Sequence, residues 1–377
     1  MALQDTLLNW DQTLFKDIEV FDIDYVPSQF QFREKQMEQM AFAVKPALRG
    51  GRVTPVVCRG LPGTGKTTSV HKLFDEIEGA TKKIVPVLVN CNIDNTEFAI
   101  FSRIYNKLTG SVCPASGTAL KSLLDGLAKY IADEKIVPLI CLDDANYLVY
   151  SRELNNVLYP LMRFHEEYSG VSFGIILILS DLSISMEAEL DVRVRSVFRY
   201  ETVEFTPYTA REIAGILNAR VKQGLYPKVM PGEIMDAVVD LTMQSGSDIR
   251  TGLDLIRRSA LYAENEARTS VQITDVKRAF EASRDAYLSG MLGMLSKDEA
   301  MVLKTIVELG YAKEEITAKI LRAKLGKSAP KVSRFNLILD KLQAVQFISI
   351  EYVKQDRTRQ RLIKLVRDPD RLREMMQ

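Results

Sequence analysis

Residues 60–68 read GLPGTGKTT, and the rest of the chain is organised around this stretch. It fits the phosphate-loop pattern G-x-x-x-x-G-K-[ST], with a short apolar run at 55–58 before it and a helical pattern at 69–77 after it. Glycines let such a loop turn its backbone N–H groups toward phosphate oxygens, at the positive end of the following helix. A glycine-rich turn that only joins a strand to a helix is the weaker interpretation, because the full motif occurs in its required context. The stretch therefore predicts nucleotide binding.

The residue types within the loop predict a role for most of its positions. Lys66 is expected to reach the phosphate oxygens, and the Thr67 hydroxyl is expected to take a site on Mg²⁺. The predicted nucleotide contacts of the loop are Gly60, Pro62, Gly63, Thr64, Gly65, Lys66, Thr67 and Thr68. The expected cofactors are ATP or ADP together with Mg²⁺.

A pair of acids, Asp143 and Asp144, ends the apolar run at 137–143. An aspartate at the tip of such a strand holds Mg²⁺ through its water shell, while its neighbour orients the attacking water. We predict that Asp143 binds the metal and that Asp144 acts on the water. The alternative is two surface acids after a strand.

Five apolar runs alternate with helical patterns, as expected for a parallel sheet covered by helices on both faces. These runs are residues 55–58, 83–91, 137–143, 173–179 and 202–205. In such a sheet the ligand binds at the carboxyl edge of the strands, where the acids lie. The predicted fold class is therefore α/β, a phosphate-loop NTPase with a parallel sheet.

From residue 206 the pattern changes to helices only, each with a start signal and apolar positions three to four residues apart. The predicted helices are 206–221, 231–244, 247–267 and 274–288. They predict a compact helical lid. Arg250, near the start of the third helix, is in a position to send its guanidinium toward the γ-phosphate, although a surface arginine would look the same.

Two further segments are expected to contact the nucleotide. Tyr25, Val26 and Pro27 form an extended stretch before the phosphate loop, where nucleotide-binding folds often flank the adenine. An ordinary strap packed on the core explains this position equally well. Tyr208, in the segment that opens the lid, is also a predicted contact.

The last part of the chain has the pattern of three helices followed by a β-hairpin. The helices are predicted at 297–309, 316–325 and 330–345, and the strands at 347–353 and 359–366, around a polar turn at 354–359. This order is that of a winged helix, a helix-turn-helix module with an added wing. The predicted DNA contacts are Lys331, Ser333, Arg334, Asn336, Lys354, Arg357, Arg359 and Arg361.

The same C-terminal part carries the positive charge of the chain. Residues 297–377 hold 18 Lys/Arg against 11 Asp/Glu, a net charge of +7, within a chain whose total is +1. Residues 322–367 hold 12 Lys/Arg and 3 Asp/Glu. Contacts with six DNA phosphates would lower log K by about 5 for each tenfold rise in salt. The predicted partner is double-stranded DNA, and a winged helix that binds protein while its basic face stays solvated is the alternative.

Composition bounds the remaining possibilities. With 377 residues, 46% of them apolar and 26% charged, the chain is globular and long enough for two or three domains. We predict a nucleotide-binding base at 1–205, a lid at 206–290 and a winged helix at 291–377. No apolar run approaches the roughly 18 residues of a membrane span, and the N-terminus lacks the pattern of a signal peptide. A soluble, cytoplasmic, DNA-associated protein without a membrane partner is expected.

The cysteine content gives no sign of a metal site. Cys58, Cys91, Cys113 and Cys141 lack C-x-x-C spacing, and only two histidines accompany them, so zinc binding is not expected. The cysteines are interpreted as reduced core residues of a cytosolic protein.

Several segments taken together resemble one known family. They are FDIDYVP (21–27), REKQ (33–36), KPALRG (45–50), GLPGTGKTT (60–68), LDDANYL (142–148), FTPYTAREI (205–213) and SDIRTGLDLIRRSA (247–260), followed by the winged-helix pattern. In this order they are similar to the archaeal origin-recognition and cell-division-cycle initiators, AAA+ proteins that mark replication origins. The resemblance covers nearly the whole chain from about Phe21.

The resemblance implies several functional roles. The Tyr-Val-Pro segment would contact the base, and Arg250 would sense the γ-phosphate. A helical insertion within about 105–131 would touch DNA. Origin repeats in duplex DNA, the replicative helicase and other copies of the protein on DNA are the implied partners.

Two positions depart from the family pattern. The acidic pair that is usually Asp-Glu is Asp143-Asp144 here, and Ser180 stands where the polar sensor is commonly Asn. Both changes weaken the positioning of the attacking water more than nucleotide binding. We therefore predict slow ATP hydrolysis with Asp144, Ser180 and Arg250 as the catalytic residues, so that ATP acts as a switch. Arg193 or Arg195 could act in trans on a neighbour's nucleotide.

In the expected mechanism, ATP held between base and lid sets the angle between the AAA+ body and the winged helix, and hydrolysis ends that state. Three alternatives remain open. One is a nucleotide-switched transcription regulator, another is a ring-forming motor such as a branch-migration helicase, and the third is a paralogue that has lost origin activity.

Overall fold

The computed structural model describes residues 13–28, 30–111, 119–293, 295–312, 316–344, 347–355, 358–366 and 369–376. The chain divides into two compact units, Met1–Lys277 and Arg278–Gln377. The predicted base and most of the predicted lid belong to the first unit. The domain boundaries at 205/206 and 290/291 stay predictions.

A five-stranded parallel sheet forms the centre of the first unit, as predicted. The strands are β1 (Val56–Arg59), β2 (Ile84–Asn90), β3 (Val137–Asp143), β4 (Gly174–Leu179) and β5 (Glu201–Glu204). Their order across the sheet is β2-β3-β4-β1-β5, and every neighbouring pair is parallel. The order places β1 between β4 and β5, so the chain after β1 emerges in the interior of the sheet.

Helices cover both faces of this sheet. Those of the first unit are α1 (Glu34–Leu48), α2 (Lys66–Ala80), α3 (Glu97–Thr109), α4 (Leu120–Glu134), α5 (Asn146–Tyr150), α6 (Leu154–Glu167), α7 (Met186–Glu189), α8 (Val192–Val197), α9 (Ala210–Gly224), α10 (Gly232–Gln244) and α11 (Ile249–Asn265). Along β4, Ile175 and Leu177 pack into the core on the α3 and α4 side, while Ile176 and Ile178 pack into the core beneath α1 and α2. Alternation of side chains along a strand explains why this apolar run is continuous.

Three of the four lid helices begin within two residues of the predicted starts, but α9 begins at Ala210, four residues after the predicted start at 206, because Thr209 caps it. Thr209 and Glu212 form a capping box at the start of α9. The Asp248 carboxylate accepts a hydrogen bond from the backbone N–H of Arg250 and so caps α11. The fourth predicted lid helix, α12 (Ile273–Gly293), is longer than expected and runs across the boundary between the two units.

The second unit contains the elements expected of a winged helix. They are α13 (Lys297–Tyr311), α14 (Ala318–Leu325), α15 (Val332–Ala344), β6 (Ile348–Gln355), β7 (Thr358–Leu365) and a last helix that was not predicted, α16 (Pro369–Met375). Leu303, Leu321 and Leu339 from the first three helices share one buried core with Ile348 and Ile363 of the hairpin.

The predicted turn of the hairpin is too long. Lys354 and Arg359 face each other in the antiparallel ladder, and Gln355 pairs with Thr358. The ladder continues there because extended strands satisfy their backbone groups by pairing, whatever the polarity of the side chains. Four of the six residues predicted for the turn therefore belong to the strands.

Cys58, Cys91 and Cys141 are buried, as predicted for core residues. Burial raises the pKa of the Cys58 thiol to about 12. Cys113 lies outside the described residues. Among the helices that the structure describes, none is long and apolar enough to cross a membrane.

Candidate functional site

The phosphate loop joins β1 to α2 and depends on glycine at two positions. Gly63 and Gly65 have φ values of +71° and +86°, in the left-handed region that side chains disfavour. A Cβ on Gly65 would also lie 2.5 Å from the Tyr208 hydroxyl. The loop therefore needs glycine for its backbone conformation and for the close approach of Tyr208.

Lys66 is buried within this loop, with 5% of its surface exposed. Its Nζ donates to the carbonyls of Gly60 at 2.8 Å and Leu61 at 2.9 Å. The pKa of Lys66 is lowered to about 8, chiefly by burial and also by the nearby Arg250 guanidinium, while the Asp143 and Asp144 carboxylates oppose the shift. The lysine, the lid arginine and the acids thus share one electrostatic environment, although they are far apart in sequence.

The predicted metal residues meet at the carboxyl edge of the sheet. The Thr67 hydroxyl lies 3.2 Å and 3.1 Å from the two carboxylate oxygens of Asp143. Burial raises the pKa of Asp143, and so does Asp144, while the Thr67 hydrogen bond lowers it. Hydroxyl and carboxylate oxygens are the ligands that Mg²⁺ prefers, so this pair fits a magnesium site.

Asp144 and Ser180 are also brought together. The Ser180 hydroxyl donates to Asp144 Oδ1 at 3.4 Å, and the Asp144 backbone is left-handed with φ of +52°. A left-handed aspartate is uncommon and costs on the order of 1 kcal/mol or more. The two residues that depart from the family pattern are therefore hydrogen-bonded to each other at the edge of the sheet.

A cavity of about 610 Å³ lies beside the loop, between the N-terminal segment and the lid. Its lining includes Pro27, Phe30, Gly65, Thr68, Tyr208, Gly215 and Arg220. A largely preformed cavity beside a phosphate loop suits the base of a nucleotide. Pro27 and Tyr208, both predicted nucleotide contacts, line this cavity, and their contact with a base stays a prediction.

Tyr25 and Val26 are not among the described residues that line this cavity. The Tyr25 ring faces the Arg220 guanidinium at 4.6 Å, and its hydroxyl is hydrogen-bonded to the Gln223 amide. Arg220 and Gln223 both line the cavity, so Tyr25 contacts two of its lining residues without being among them. Contact of Tyr25 and Val26 with the base stays a prediction.

The start of the lid helix α11 touches the phosphate loop. A Cβ built on Gly63 would lie 1.8 Å from Asp248 Oδ1, so the Asp248 side chain packs directly on this glycine. Arg250, two residues later, is exposed and near enough to Lys66 to lower its pKa. The sequence identified Arg250 but missed Asp248, whose signal was its position as a helix cap.

Two buried arginines beside the cavity were also missed. Arg33 is 3% exposed and Arg220 is 7% exposed, and both donate to backbone carbonyls. Arg33 is the first residue of the REKQ segment at 33–36, for which the family resemblance implies no role. Only burial separates these two arginines from the many that lie on the surface.

The two arginines considered for action in trans differ in their contacts. Arg195 donates to the carbonyls of Glu187 and Leu190. Arg193 pairs with Asp191 at 2.9 Å and its side chain is 69% exposed. Arg193 is thus the more accessible of the two, and a role in trans stays a prediction for either.

The basic residues of the second unit lie mostly on its surface. Lys331, Ser333 and Arg334 are exposed around the start of α15, and Asn336 is half-buried. Arg334 pairs with Asp298 at 2.8 Å, and Arg361 donates to the Asn336 side chain at 3.3 Å. The side chains of Lys354 and Arg359 and all of Arg357 lie outside the described residues.

Curated relatives match this chain over nearly its whole length. ORC1-type DNA replication protein 3 of Haloarcula marismortui is 38% identical over 376 residues, which is 99% of each chain. ORC1-type DNA replication protein 2 of Methanosarcina mazei is 40% identical over 370 residues, 97% of this chain and 96% of that protein. This chain belongs to the ORC1-type DNA replication protein family.

Two domain models match within the ORC1-type chain. The AAA domain matches residues 52–184, and the Cdc6 AAA+ ATPase-type lid domain matches residues 214–281. These matches confirm the AAA+ sheet and the lid that the sequence predicted.

Solved structures show the same fold as this ORC1-type protein. The Aeropyrum pernix ORC1 protein in complex with DNA has a TM-score of 0.80 and 23% identity, over 96% of each chain. The Aeropyrum pernix ORC2 protein, solved as ADPNP-ADP complexes, has a TM-score of 0.69 and 25% identity, over 96% of this chain and 97% of that one.

Proposed function

We propose that this ORC1-type protein is an ATP-dependent replication initiator that binds duplex DNA at origin repeats and helps recruit the replicative helicase. The observation that supports the nucleotide-dependent part best is that lid and sheet meet at the phosphate loop, where Asp248 of α11 packs on Gly63 and the Thr67 hydroxyl lies 3.1 Å from an Asp143 carboxylate oxygen. A nucleotide bound there would contact the sheet and the lid at once. The family membership and the basic C-terminal unit support the DNA part.

The loop N–H groups and Lys66 would hold the nucleotide phosphates, and the cavity beside Pro27 and Tyr208 would hold the base. Thr67 and Asp143 would hold Mg²⁺, which neutralises phosphate charge when it is bound. Arg250 would contact the γ-phosphate, which ADP lacks. Because a ligand shifts a conformational equilibrium only through differential contacts, Arg250 is the residue through which ATP and ADP would seat the lid differently.

Hydrolysis would be slow because Asp144 is short and engaged with Ser180. A glutamate and an asparagine at these positions would reach an attacking water better. We expect the Asp144→Glu/Ser180→Asn double variant to exceed the wild-type single-turnover rate by about tenfold, less than the roughly 10²–10⁴-fold of a complete general base, because the wild type already has a carboxylate at position 144. Equal rates for the two proteins would contradict this account of the switch.

Binding of DNA by the second unit is supported by its charge and by the exposed start of α15. Lys331, Ser333 and Arg334 would face the duplex there, with Asn336, Lys354, Arg357, Arg359 and Arg361 as the other expected contacts. The family resemblance adds 105–131, which spans the end of α3 and most of α4, as a second contact. Side chains that reach bases would determine sequence specificity, and those that reach phosphates would contribute affinity and position the protein on the duplex.

A DNA-capture experiment tests this proposal. The protein is mixed with fragmented chromosomal DNA from its own organism in the presence of ATP or of ADP, and the bound fragments are sequenced. We expect enrichment at one or a few origin repeats and stronger retention with ATP. Enrichment at many promoters would favour a transcription regulator instead. If no DNA fragment were enriched and the second unit bound only proteins, the assignment of DNA as the partner would be wrong.

A repeat recovered in this way, and a scrambled duplex of the same composition, then provide the affinity test. Preference for the repeat should persist as salt rises, and the Arg357→Ala/Arg359→Ala variant should bind both duplexes more weakly. Fast, DNA-stimulated hydrolysis with a nucleotide-dependent hexamer would identify a motor and contradict the switch.

A further inference from the structure

Arg33 is a buried cation at the junction of the phosphate loop and the lid. Its side chain donates three hydrogen bonds, each to a different backbone carbonyl: Nε to Thr64 at 3.0 Å, Nη1 to Phe32 at 3.1 Å and Nη2 to Thr206 at 2.7 Å. Within the described residues, no carboxylate lies within ion-pair distance of it. A guanidinium buried without a carboxylate is costly, so these three bonds must hold it in place.

The first of these carbonyls belongs to the phosphate loop itself. The peptide between Thr64 and Gly65 is trans and planar, so its N–H points to the side opposite its C=O. Fixing the Thr64 carbonyl on Arg33 therefore fixes the direction of the Gly65 N–H. Backbone N–H groups of this loop are the expected phosphate donors.

The other two carbonyls connect Arg33 to the lid. Thr206 lies in the segment that leads from β5 into α9, and the Tyr208 ring in the same segment lies 3.7 Å from the Arg33 guanidinium carbon. Phe32 packs against α9, because a Cβ on Gly215 would lie 2.8 Å from its ring. One guanidinium thus holds both the phosphate loop and two points at which the lid is seated.

We propose that Arg33 is a positioning residue that couples the orientation of the Thr64–Gly65 peptide to the seat of the lid. This inference rests on the proposed nucleotide site. Movement of α9 would be transmitted through Thr206 and Phe32 to Arg33, and from there to one phosphate donor of the loop. Nucleotide affinity and lid position then depend on each other through this side chain.

The Arg33→Lys variant tests the proposal because an ammonium keeps the charge but does not reproduce the planar fork of a guanidinium. We expect its affinity for fluorescent ATP and ADP analogues to fall by about tenfold, as for loss of one charged hydrogen bond. Inorganic tripolyphosphate, which has no base, should lose the same factor. The matched control is Arg49→Lys. Arg49 is exposed and directly follows α1, just as Arg33 directly precedes it, and this variant should bind like the wild type.

Coupling to the lid is measured by combining Arg33→Lys with Arg250→Ala. If the two residues act independently, the free-energy costs of the two substitutions add. We expect Arg250→Ala to cost about fivefold in ATP affinity in the wild type and less than about twofold in the Arg33→Lys background. Additive losses would overturn the coupling.

A purely structural role has a different signature. The melting temperature of Arg33→Lys would then fall while its affinities for both nucleotides and tripolyphosphate stayed at wild-type values, and the proposal would be wrong. Failure of the wild type to bind any of these ligands would instead remove the proposed nucleotide site. If Arg33→Lys does not fold, Gly215→Ala pushes Phe32 from α9, and its tripolyphosphate affinity should fall in the same direction; an unchanged affinity would contradict the proposal.

Discussion

The nucleotide site of the first unit and the basic surface of the second unit differ in how their charges are held. Lys66 is buried and bonded to two carbonyls, and its pKa responds to three neighbouring charges. Arg334 is an exposed residue whose side chain is 62% accessible in its pair with Asp298. Exposed ion pairs contribute little, whereas a buried charge needs defined partners. The defined partners of Lys66 therefore indicate its role within the protein. The role of the exposed Arg334 depends on which molecule binds that surface.

Salt should separate the two sites most strongly. With six phosphate contacts, DNA affinity should fall about a thousandfold between 50 and 200 mM salt. Nucleotide affinity should change far less, because the phosphates would meet a preformed and largely buried loop. Parallel titrations of duplex DNA and of an ATP analogue across this salt range provide the measurement. Equal salt slopes would show that the buried site behaves like an exposed one.

Removal of the buried lysine should have the next largest effect. Lys66→Ala deletes charged bonds to the phosphates, and we expect at least about a hundredfold loss of ATP affinity. Lys82→Ala, an exposed lysine of the same unit, is the control and should bind normally. Retention of full nucleotide affinity by Lys66→Ala, measured by calorimetry, would refute the assignment of the phosphate loop.

The lowered pKa of Lys66 predicts opposite pH trends for binding and stability. Above pH 8 the folded protein loses this proton while the unfolded chain keeps it up to about 10.5, so the free energy of unfolding rises with pH in that window. Phosphate binding needs the charged lysine, whose fraction falls from about one half at pH 8 to about one tenth at pH 9, so we expect about fivefold weaker ATP binding at pH 9. The Cys58 thiol, with a pKa of about 12, stays protonated there.

The control for this pH profile is Lys66→Arg, whose guanidinium stays charged throughout. Its ATP affinity, even if weaker overall, should be flat across the window. A falling profile in Lys66→Arg would assign the titration to another group.

The smallest expected effect concerns the exposed pair on the second unit. Asp298→Asn removes a carboxylate from beside Arg334 and should strengthen DNA binding by about threefold. Glu308→Gln makes the same change of charge at another exposed acid of α13 and should have less effect. Equal gains from both variants, in a gel or anisotropy titration, would show that only net charge matters on this surface.

Most of the fold could be predicted because its signals are local. The apolar runs of β1 to β5 and the start signals of α9 to α11 lie within short stretches of sequence, and each formed the predicted element. The turn at 354–359 was placed wrongly because strand pairing depends on a partner strand, and polar composition carries no information about it. The last helix, α16, was missed for a similar reason: the segment is short and polar, and it is held by the packing of Leu372 and Met375 on the core of the second unit.

The sequence alone singled out the phosphate loop and the acid pair, because each uses residue types that few other structures need at that spacing, and it placed Arg250 at the start of a lid helix; the roles of these residues at a nucleotide stay predictions. Tertiary structure alone decided that Asp248 packs on Gly63, that Ser180 bonds Asp144 and that Arg33 is buried between loop and lid. These facts depend on burial and on contacts between distant segments. The sequence is the same whether Arg33 is exposed to water or buried. Only tertiary packing removes the water around its guanidinium and so makes its hydrogen bonds to the loop and the lid necessary.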